Sequence, residues 1–461
     1  MSKTWVSNSA TSIICFAADA TVCKATEIDL NDMPYAGGAK FNSKKECLPG
    51  TRTSIINDIS DWVNSSDGPR ICLLSGVAGS GKSSIANTVA HRFKDLGRLG
   101  SSFCFDRSHA ADRRPDNLFS TIARDLADLD HQRKSALWDV IQEERSLRTT
   151  HDPAEQFEKF ILLPTANLMA IGPILIVIDA LDESGDKIAR KALLSILGQE
   201  VSRLPPNFRI LVTSRAEADI QETFDNHPHA ICMHMGAIDP KSTDHDISVF
   251  VLSQLSEVKG LDQSQHAEWC HRLVEKAEGL FQWASTVCLF IATDFNPTGR
   301  LEAVLSLGPQ SDKEAFLDDL YQTILKELFK SQSKTTIGLL KQNLGMVLAV
   351  KDPLSLPSLE GLRCIIGSSG HGPSMDILRP LGSLLTGVTG NLVPVRPLHS
   401  SFRDFLISED SSKEFFIDTS LRDESLALAC LQTINMHLME GTPGTGYLFH
   451  QECGIRNQST L

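Results

Sequence analysis

Apolar positions along the chain fall into two regimes. Between Thr51 and about residue 240, helical and strand spacings alternate. Ile55, Ile56, Ile59 and Trp62 share a helical face that runs into an Asn64–Pro69 turn. Ile71–Ser75 is an apolar run of strand length closed by a glycine-rich turn, and Ile85, Ala86, Val89, Ala90 and Phe93 mark one face of a helix over Ser84–Phe93. Ser102–Phe105 predicts a second strand, and Leu118, Ile122, Leu126 and Leu129 a further helix. Ile174–Ile178, branched and uncharged throughout, predicts a central strand covered on both faces, followed by strands at Arg209–Thr213 and Ala230–Met235. Strands alternating with helices imply a parallel sheet flanked by helices.

Beyond residue 240 the strand signal fades. Ile247–Leu255, Trp269–Ile291 and Phe316–Phe329 carry helical periodicity, whereas 352–397 mixes prolines, glycines and short apolar runs, as expected of a compact unit of short elements. Leu421–Met439 predicts a last helix before a polar end. Residues 1–45 are poorly patterned apart from a turn-like Pro34–Gly38, and no internal repeat recurs at 20 to 50 residues. The expected divisions are therefore 1–45, an α/β unit at 46–240, a helical unit at 241–310, a further compact unit at 311–420, and the start of a helical linker at 421–461.

Composition narrows the function. With 461 residues, 41% apolar and 22% charged, the chain has the balance of a globular protein of about three domains. A net charge of −13 argues against broad nucleic-acid binding, which needs a basic surface. Eleven cysteines lie scattered with no C-x-x-C pair, as expected of reduced thiols. No apolar stretch is long enough for a membrane span, and Ser12–Phe16 is too short for a signal peptide, so a cytoplasmic protein is expected.

The chemistry begins at Gly76-Val77-Ala78-Gly79-Ser80-Gly81-Lys82-Ser83, a complete G-x-x-x-x-G-K-[ST] between a predicted strand and a predicted helix. Glycines allow the backbone to curl its N–H groups around phosphates, and the helix after it, entered through Ser84, adds its positive end. Lys82 is expected to supply charge to the β- and γ-phosphates, and the Ser83 hydroxyl to ligate Mg²⁺. Asp179 follows the central apolar strand directly, at the sheet edge where ligands bind, and is the expected partner of the same Mg²⁺. Glu183, with Asp182 as second candidate, is expected to polarise an attacking water; the alternative is that both cap the next helix. Arg215, ending Leu211-Val212-Thr213-Ser214-Arg215, is expected to sense the γ-phosphate.

In this order the motifs carry a family resemblance. Cys47-Leu48-Pro49-Gly50-Thr51-Arg52, Gly76–Ser83, Ser101–Arg107, Asp179–Glu183, Thr213–Arg215, Gly279–Phe281 and Leu398–Leu406 together resemble the fungal NACHT proteins, STAND-class P-loop NTPases similar in their N-terminal half to the nephrocystin-3-like NACHT domain and related to NOD-like receptors. The resemblance implies a P-loop nucleotide-binding domain at 46–240, a helical domain at 241–310 and a winged-helix-like domain at 311–420, acting as an ATP/ADP switch that self-associates through the NACHT domain. It further implies that Thr51 and Arg52 lie near the base or ribose, and that His399 meets the ADP phosphate; a helix start at Thr51 and a core histidine are the alternatives. The related plant and apoptotic switches carry Gly-Leu-Pro-Leu where this chain has Gly279-Leu280-Phe281-Gln282. The fungal proteins commonly continue into a C-terminal repeat array, so the chain is expected to be a switch without sensor or effector, or a truncated gene model.

The expected function is a signal-transduction NTPase switch with slow ATP hydrolysis at the β–γ phosphoanhydride. The alternative is a non-catalytic, nucleotide-bound scaffold.

Overall fold

The computed structural model describes residues 28–435 apart from 110–111, 167–171, 294–295, 307–312, 331, 366–376, 391, 420–425 and 429. Ser12–Phe16 and part of the expected C-terminal helix lie outside the described residues; within that helix, 426–428 and 430–435 are helical.

Five strands form one parallel sheet: β1 (Ile71–Ser75), β2 (Leu99–Cys104), β3 (Ile174–Asp179), β4 (Phe208–Ser214) and β5 (Ala230–His234), in the order β2-β3-β4-β1-β5. Successive side chains of a strand point to opposite faces. Ile71, Leu73, Ile176, Ile178, Ile210 and Val212 pack on the side of α3 (Leu118–Leu129) and α4 (His131–Glu143). Cys72, Leu74, Leu175, Val177 and Leu211 pack on the other side, under α1 (Thr53–Asn64) and α2 (Lys82–Asp95). Both faces are covered, so the inner strands are apolar without alternation, and burying each such aliphatic side chain contributes about 1.5–3 kcal/mol. α5 (Lys187–Ser195) and α6 (Ala218–Phe224) complete the crossovers. This is a parallel α/β fold with helices on both faces of a five-stranded sheet.

β2 starts three residues before the expected Ser102 and ends before Phe105. Its first half is Leu99-Gly100-Ser101, and a Cβ on Gly100 would stand 2.7 Å from Ile174 and 2.9 Å from Leu126. Close packing demands small residues there, which erases the apolar signal. The outer edge of β2 is covered by the segment from residue 28 to 41, despite its lack of periodicity. Leu30, Met33, Ala36 and Ala39 are buried in the α3 side of the core, Cys104 N donates to Ala39 O at 2.8 Å, and Phe41 N donates to Ser102 Oγ at 2.9 Å.

The second half is helical around its own core: α7 (Pro240–Ser256), α8 (His266–Ala277), α9 (Phe281–Ala292), α10 (Pro297–Leu305), α11 (Lys313–Leu328), α12 (Lys334–Ala349) and α13 (Leu356–Ile365). The single helix expected over Trp269–Ile291 is two. Glu278 (φ 45°) and Gly279 (φ 80°) take the left-handed conformation that ends helices, although the apolar spacing runs on across the break. A short antiparallel pair, β6 (Leu385–Thr386) and β7 (Arg396–Pro397), then leads into α14 (Ser400–Leu406).

Candidate functional site

β1 delivers the chain into the glycine-rich loop at the carboxyl edge of the sheet, and α2 leaves it at Lys82. Gly79 (φ 77°) and Gly81 (φ 96°) adopt the left-handed region that the turn requires. A side chain on Gly81 would meet nothing within 4 Å, so the cradle opens onto space. That space is a cavity of about 570 Å³, within the range of small-molecule sites. Ala78, Gly79, Gly81, Lys82, Ser83 and Ser84 line it. Gly76, Val77 and Ser80 stand behind: Lys82 Nζ donates to Gly76 O (2.8 Å) and Val77 O (2.9 Å), and Ser80 O accepts from Arg52. Burial lowers the Lys82 pKa to about 8, against the pull of Asp182 and Asp179. A cation held in that way is poised for a denser anionic partner.

Opposite the loop, Asp179 ends β3 and lines the same cavity. Thr213, at the same edge of the neighbouring β4, donates its hydroxyl to Asp179 Oδ1 at 2.5 Å and accepts the Ala180 N–H at 3.0 Å. The Cys104 thiol of β2 donates to Asp179 Oδ2 at 3.3 Å. Ala180 sits at φ 57°, a conformation costing about 1–2 kcal/mol for a residue with a Cβ. The Thr213 bond offsets part of that cost, and the bend turns Asp182 and Glu183 into the cavity. Neither caps the following helix: α5 is capped by Asp186, whose carboxylate accepts from Ala189 N.

The acidic pair divides. Asp182 is buried and committed to Arg215, accepting its backbone N–H at 3.0 Å and facing its Nε at 3.3 Å. Glu183 accepts only a long bond, 3.4 Å from Arg107 N, and a bond from the Ser400 side chain. Burial, reinforced by the Asp182 charge, raises its pKa to about 7. Of the two, Glu183 is the carboxyl with basicity suited to accept a proton at neutral pH.

The C-terminal elements close the cavity from the far side. The guanidinium of Arg215 donates to Ser400 Oγ at 3.0 Å and pairs with Asp404 at 2.9 Å, while Arg107, from the turn after β2, faces the other Asp404 oxygen at 3.4 Å. Despite burial, the charges of Asp404 and Asp182 raise the Arg215 pKa. Behind α14, Tyr321 OH bonds Ser401 Oγ at 2.8 Å and its ring packs on Phe402 and Phe405. His399 caps α14: its Nδ1 accepts from Ser401 N at 3.1 Å, which leaves the neutral ring its proton on Nε2. His399 lines the cavity, and burial, together with the positive charges of Arg215, Lys82 and Lys45, lowers its pKa to about 3. A neutral N–H donor results.

Thr51 and Arg52 also line the cavity. Thr51 Oγ1 donates to Leu48 O at 2.7 Å. Arg52 spans three elements, with Nη2 on Ser80 O (3.2 Å), Nη1 on Thr243 of α7 (3.0 Å), and its guanidinium over the ring of Phe281 (4.8 Å). Gln282 N at the start of α9 donates to Gly79 O at 3.0 Å, so the loop is gripped from the helical half as well. Every residue expected at the site from sequence therefore lies in or directly behind one cavity. Single-residue reasoning missed Arg107, Thr213, Ser400 and Asp404 as working groups, though all four fall in motifs that carried the resemblance. It missed 39–46 altogether.

Ten cationic side chains line the cavity against five carboxylates, in a chain of net charge −13. Such a lining suits a polyphosphate. For a divalent ion, no group of three or more His, Cys, Asp or Glu gathers among the described residues. Ser83 and Asp179, both in the cavity lining, offer the one or two protein oxygens that Mg²⁺ takes when water and phosphate complete its shell. No helix among the described residues is long and apolar enough to cross a membrane.

Residues 50–215 match the family described as Nephrocystin 3, N-terminal. The match runs from the turn before α1 to Arg215 and takes in the loop, Asp179 and Glu183. No curated protein matches the sequence. Among solved structures, the chain is similar to a signal transduction ATPase with numerous domains (STAND) protein with a tetratricopeptide repeat sensor from Pyrococcus horikoshii, at 15% identity and a TM-score of 0.40, over 86% of this chain and 46% of that one. The chain thus spans about half the length of that protein. It is also similar to C. elegans PCH-2 (14% identity, TM-score 0.29, 57% of this chain and 70% of that one) and to Drosophila ORC in a DNA-bound structure (12%, 0.33, 76% and 92%). All three are distant likenesses.

Proposed function

We propose that the chain is a NACHT-type nucleotide switch that binds ATP or ADP with Mg²⁺ and hydrolyses ATP slowly. The observation that carries this is the composition of one cavity. Its sheet wall holds the G-x-x-x-x-G-K-S loop, Asp179 and Glu183, and its other wall holds His399, Ser400 and Arg403 from the C-terminal elements. The match of residues 50–215 to the nephrocystin 3 N-terminal family supports the sheet half of this reading.

In this reading the loop amides and Lys82 hold the β- and γ-phosphates. Ser83 and Asp179 would hold Mg²⁺, which supplies charge neutralisation at the phosphates when bound. Glu183 accepts the proton of a water attacking the γ-phosphorus in line, and Arg215 stabilises the charge that develops. Asp182 fixes Arg215, and Thr213 fixes Asp179. As described, however, Glu183 and Arg215 are both engaged by Ser400, and Arg215 also by Asp404. Turnover then requires α14 to withdraw, so the slow rate and the switch have one origin. The Nε2–H of His399 is suited to a diphosphate in this closed form. The three helices α11, α12 and α13 with the β6–β7 pair and α14 would form the winged-helix-like unit of 311–420, set after a helical unit of 241–310 and a nucleotide-binding unit of 46–240. Self-association through the nucleotide-binding unit and a cytoplasmic setting belong to the same proposal.

Mass identification of the nucleotide that co-purifies with the protein tests this reading. ADP or ATP in the wild type and none with Lys82→Ala is the expected result. A wild-type protein that purifies empty and binds neither added Mg·ATP nor ADP would overturn it.

A further inference from the structure

Residues 39–47 form a strap across the first turns of α2, and it is fastened at both ends and in the middle. Ala39 and Phe41 bind the edge of β2, Asn42 N donates to Asn87 Oδ1 (2.5 Å), Cys47 N donates to Thr88 Oγ1 (2.9 Å), and Glu46 pairs with His91 (2.7 Å). Asn87, Thr88 and His91 all belong to α2, the helix that begins at Lys82. The strap is therefore registered against the same helix that bears the phosphate loop. At its centre Ser43–Lys45 forms a single tight turn, capped by Asn42 accepting from Lys44 N.

That turn brings two lysines to the rim of the cavity, where both are lining residues. Most other cations there already have anionic partners: Arg107 and Arg215 face Asp404, Arg113 and Arg396 face Asp106, and Lys40 faces Asp125. Lys45, among the described residues, makes no ion pair. An exposed lysine on a mobile loop is ordinarily just solvated, but a lysine on a fastened strap carries less entropy to lose when an anion arrives. Its charge also reaches both walls, acting on the Cys104 thiol that donates to Asp179 and on His399.

We propose that Lys45 is a nucleotide ligand, a cation that the strap supplies to the polyphosphate of a nucleoside di- or triphosphate in addition to Lys82. The proposal rests on the nucleotide-binding reading of the cavity. It assigns a binding role to a segment that precedes the glycine-rich loop by some thirty residues and has no recognisable motif of its own.

Titration of the full chain with a fluorescent ATP analogue and with ADP, in wild type, Lys45→Met, Lys45→Arg and Lys82→Ala, tests it, with Lys191→Met on the exposed face of α5 as control. Lys45→Met is expected to bind about five- to tenfold more weakly, with a shallower loss of affinity as salt is raised, whereas Lys45→Arg and Lys191→Met stay near wild type. All variants change exposed side chains except Lys82→Ala, and unchanged melting temperatures verify their folding. If Lys45→Met binds like wild type while Lys82→Ala does not, the role of Lys45 is overturned and the cavity reading stands. If wild type binds no nucleotide, both fall together.

Discussion

The two walls of the cavity are built at very different distances along the chain. The phosphate wall is eight consecutive residues between a strand and a helix, with Asp179 and Arg215 delivered by two neighbouring strands of the same sheet. The closing wall comes from α14, whose Ser400 lies 185 positions from the Arg215 it binds and whose Asp404 lies 297 positions from Arg107. The first wall consists of backbone amides, one lysine and carboxylates fixed by strand geometry. The second consists of side-chain contacts between two separately cored halves. On the proposed reading, chemistry belongs to the wall fixed by the sheet and control to the wall held by side-chain contacts. Charge pairs of this half-exposed kind are individually weak, about 0.2–1 kcal/mol each, so a bound anion can compete with them.

The sharpest way to break that division is to remove the proposed base, Glu183, from the sheet wall. Glu183→Gln is expected to lower ATP turnover by about a hundredfold or more while nucleotide affinity stays nearly unchanged. Wild-type turnover should also rise with pH through about 7 as Glu183 ionises, and the variant should lose that limb. Equal rates in the two proteins would place the chemistry elsewhere.

The seam between the walls comes next. Gly79 stands at φ 77°, and a Cβ there would lie 2.5 Å from Gln282 Cβ. Gly79→Ala is expected to cost about 2–4 kcal/mol from backbone strain and overlap together, read as a lower melting temperature and looser protection of the start of α9 in hydrogen exchange. Wild-type values on both counts would mean that the loop is not clamped from the helical half.

Weakening the closing wall alone should have a smaller effect of the opposite sense. Asp404→Asn leaves Arg215 and Arg107 without their shared carboxylate, and is expected to strengthen ATP binding about three- to fivefold and to speed hydrogen exchange in α14. Unaltered exchange in α14 would argue that the aromatic packing against Tyr321, rather than charge, holds the closing wall.

The finest distinction is one of pH. His399 has a folded pKa lowered from 6.5 to about 3, so it contributes stability that is present above pH 6.5 and lost as pH falls through about 3. His399→Asn retains a helix-capping side chain but cannot be protonated in that range. The variant should therefore show a shallower fall of melting temperature than wild type on acidification over this window. Parallel curves would mean that His399 is not buried among Arg215, Lys82 and Lys45 in solution.

Local physics made much of this legible in advance. The glycine-rich loop and the Asp after an apolar strand need only neighbours in sequence, because strand and helix directions follow from the pattern on either side. The same local logic failed at β2, where close packing selects Gly100 and serines, and at Trp269–Ile291, where a left-handed Glu278-Gly279 interrupts apolar spacing that would otherwise support one helix. It failed most fully at 28–46, where only the turn at Pro34–Gly38 was expected. A covering strap needs only occasional apolar anchors, here Leu30, Met33, Ala36 and Ala39, and so has no period to detect.

The sequence alone determined where the glycine-rich loop would sit, which carboxylate would end the central strand, and that the chain would divide into a sheet half and a helical half. Only the tertiary structure decided that Asp182 is tied to Arg215 while Glu183 meets Arg107 and Ser400, that Ser400 and Asp404 of α14 reach Arg215, and that Lys45 lines the same cavity. Those outcomes depend on contacts between distant segments, and such contacts are set by how three cores pack, which leaves no trace in the order of residues around each site.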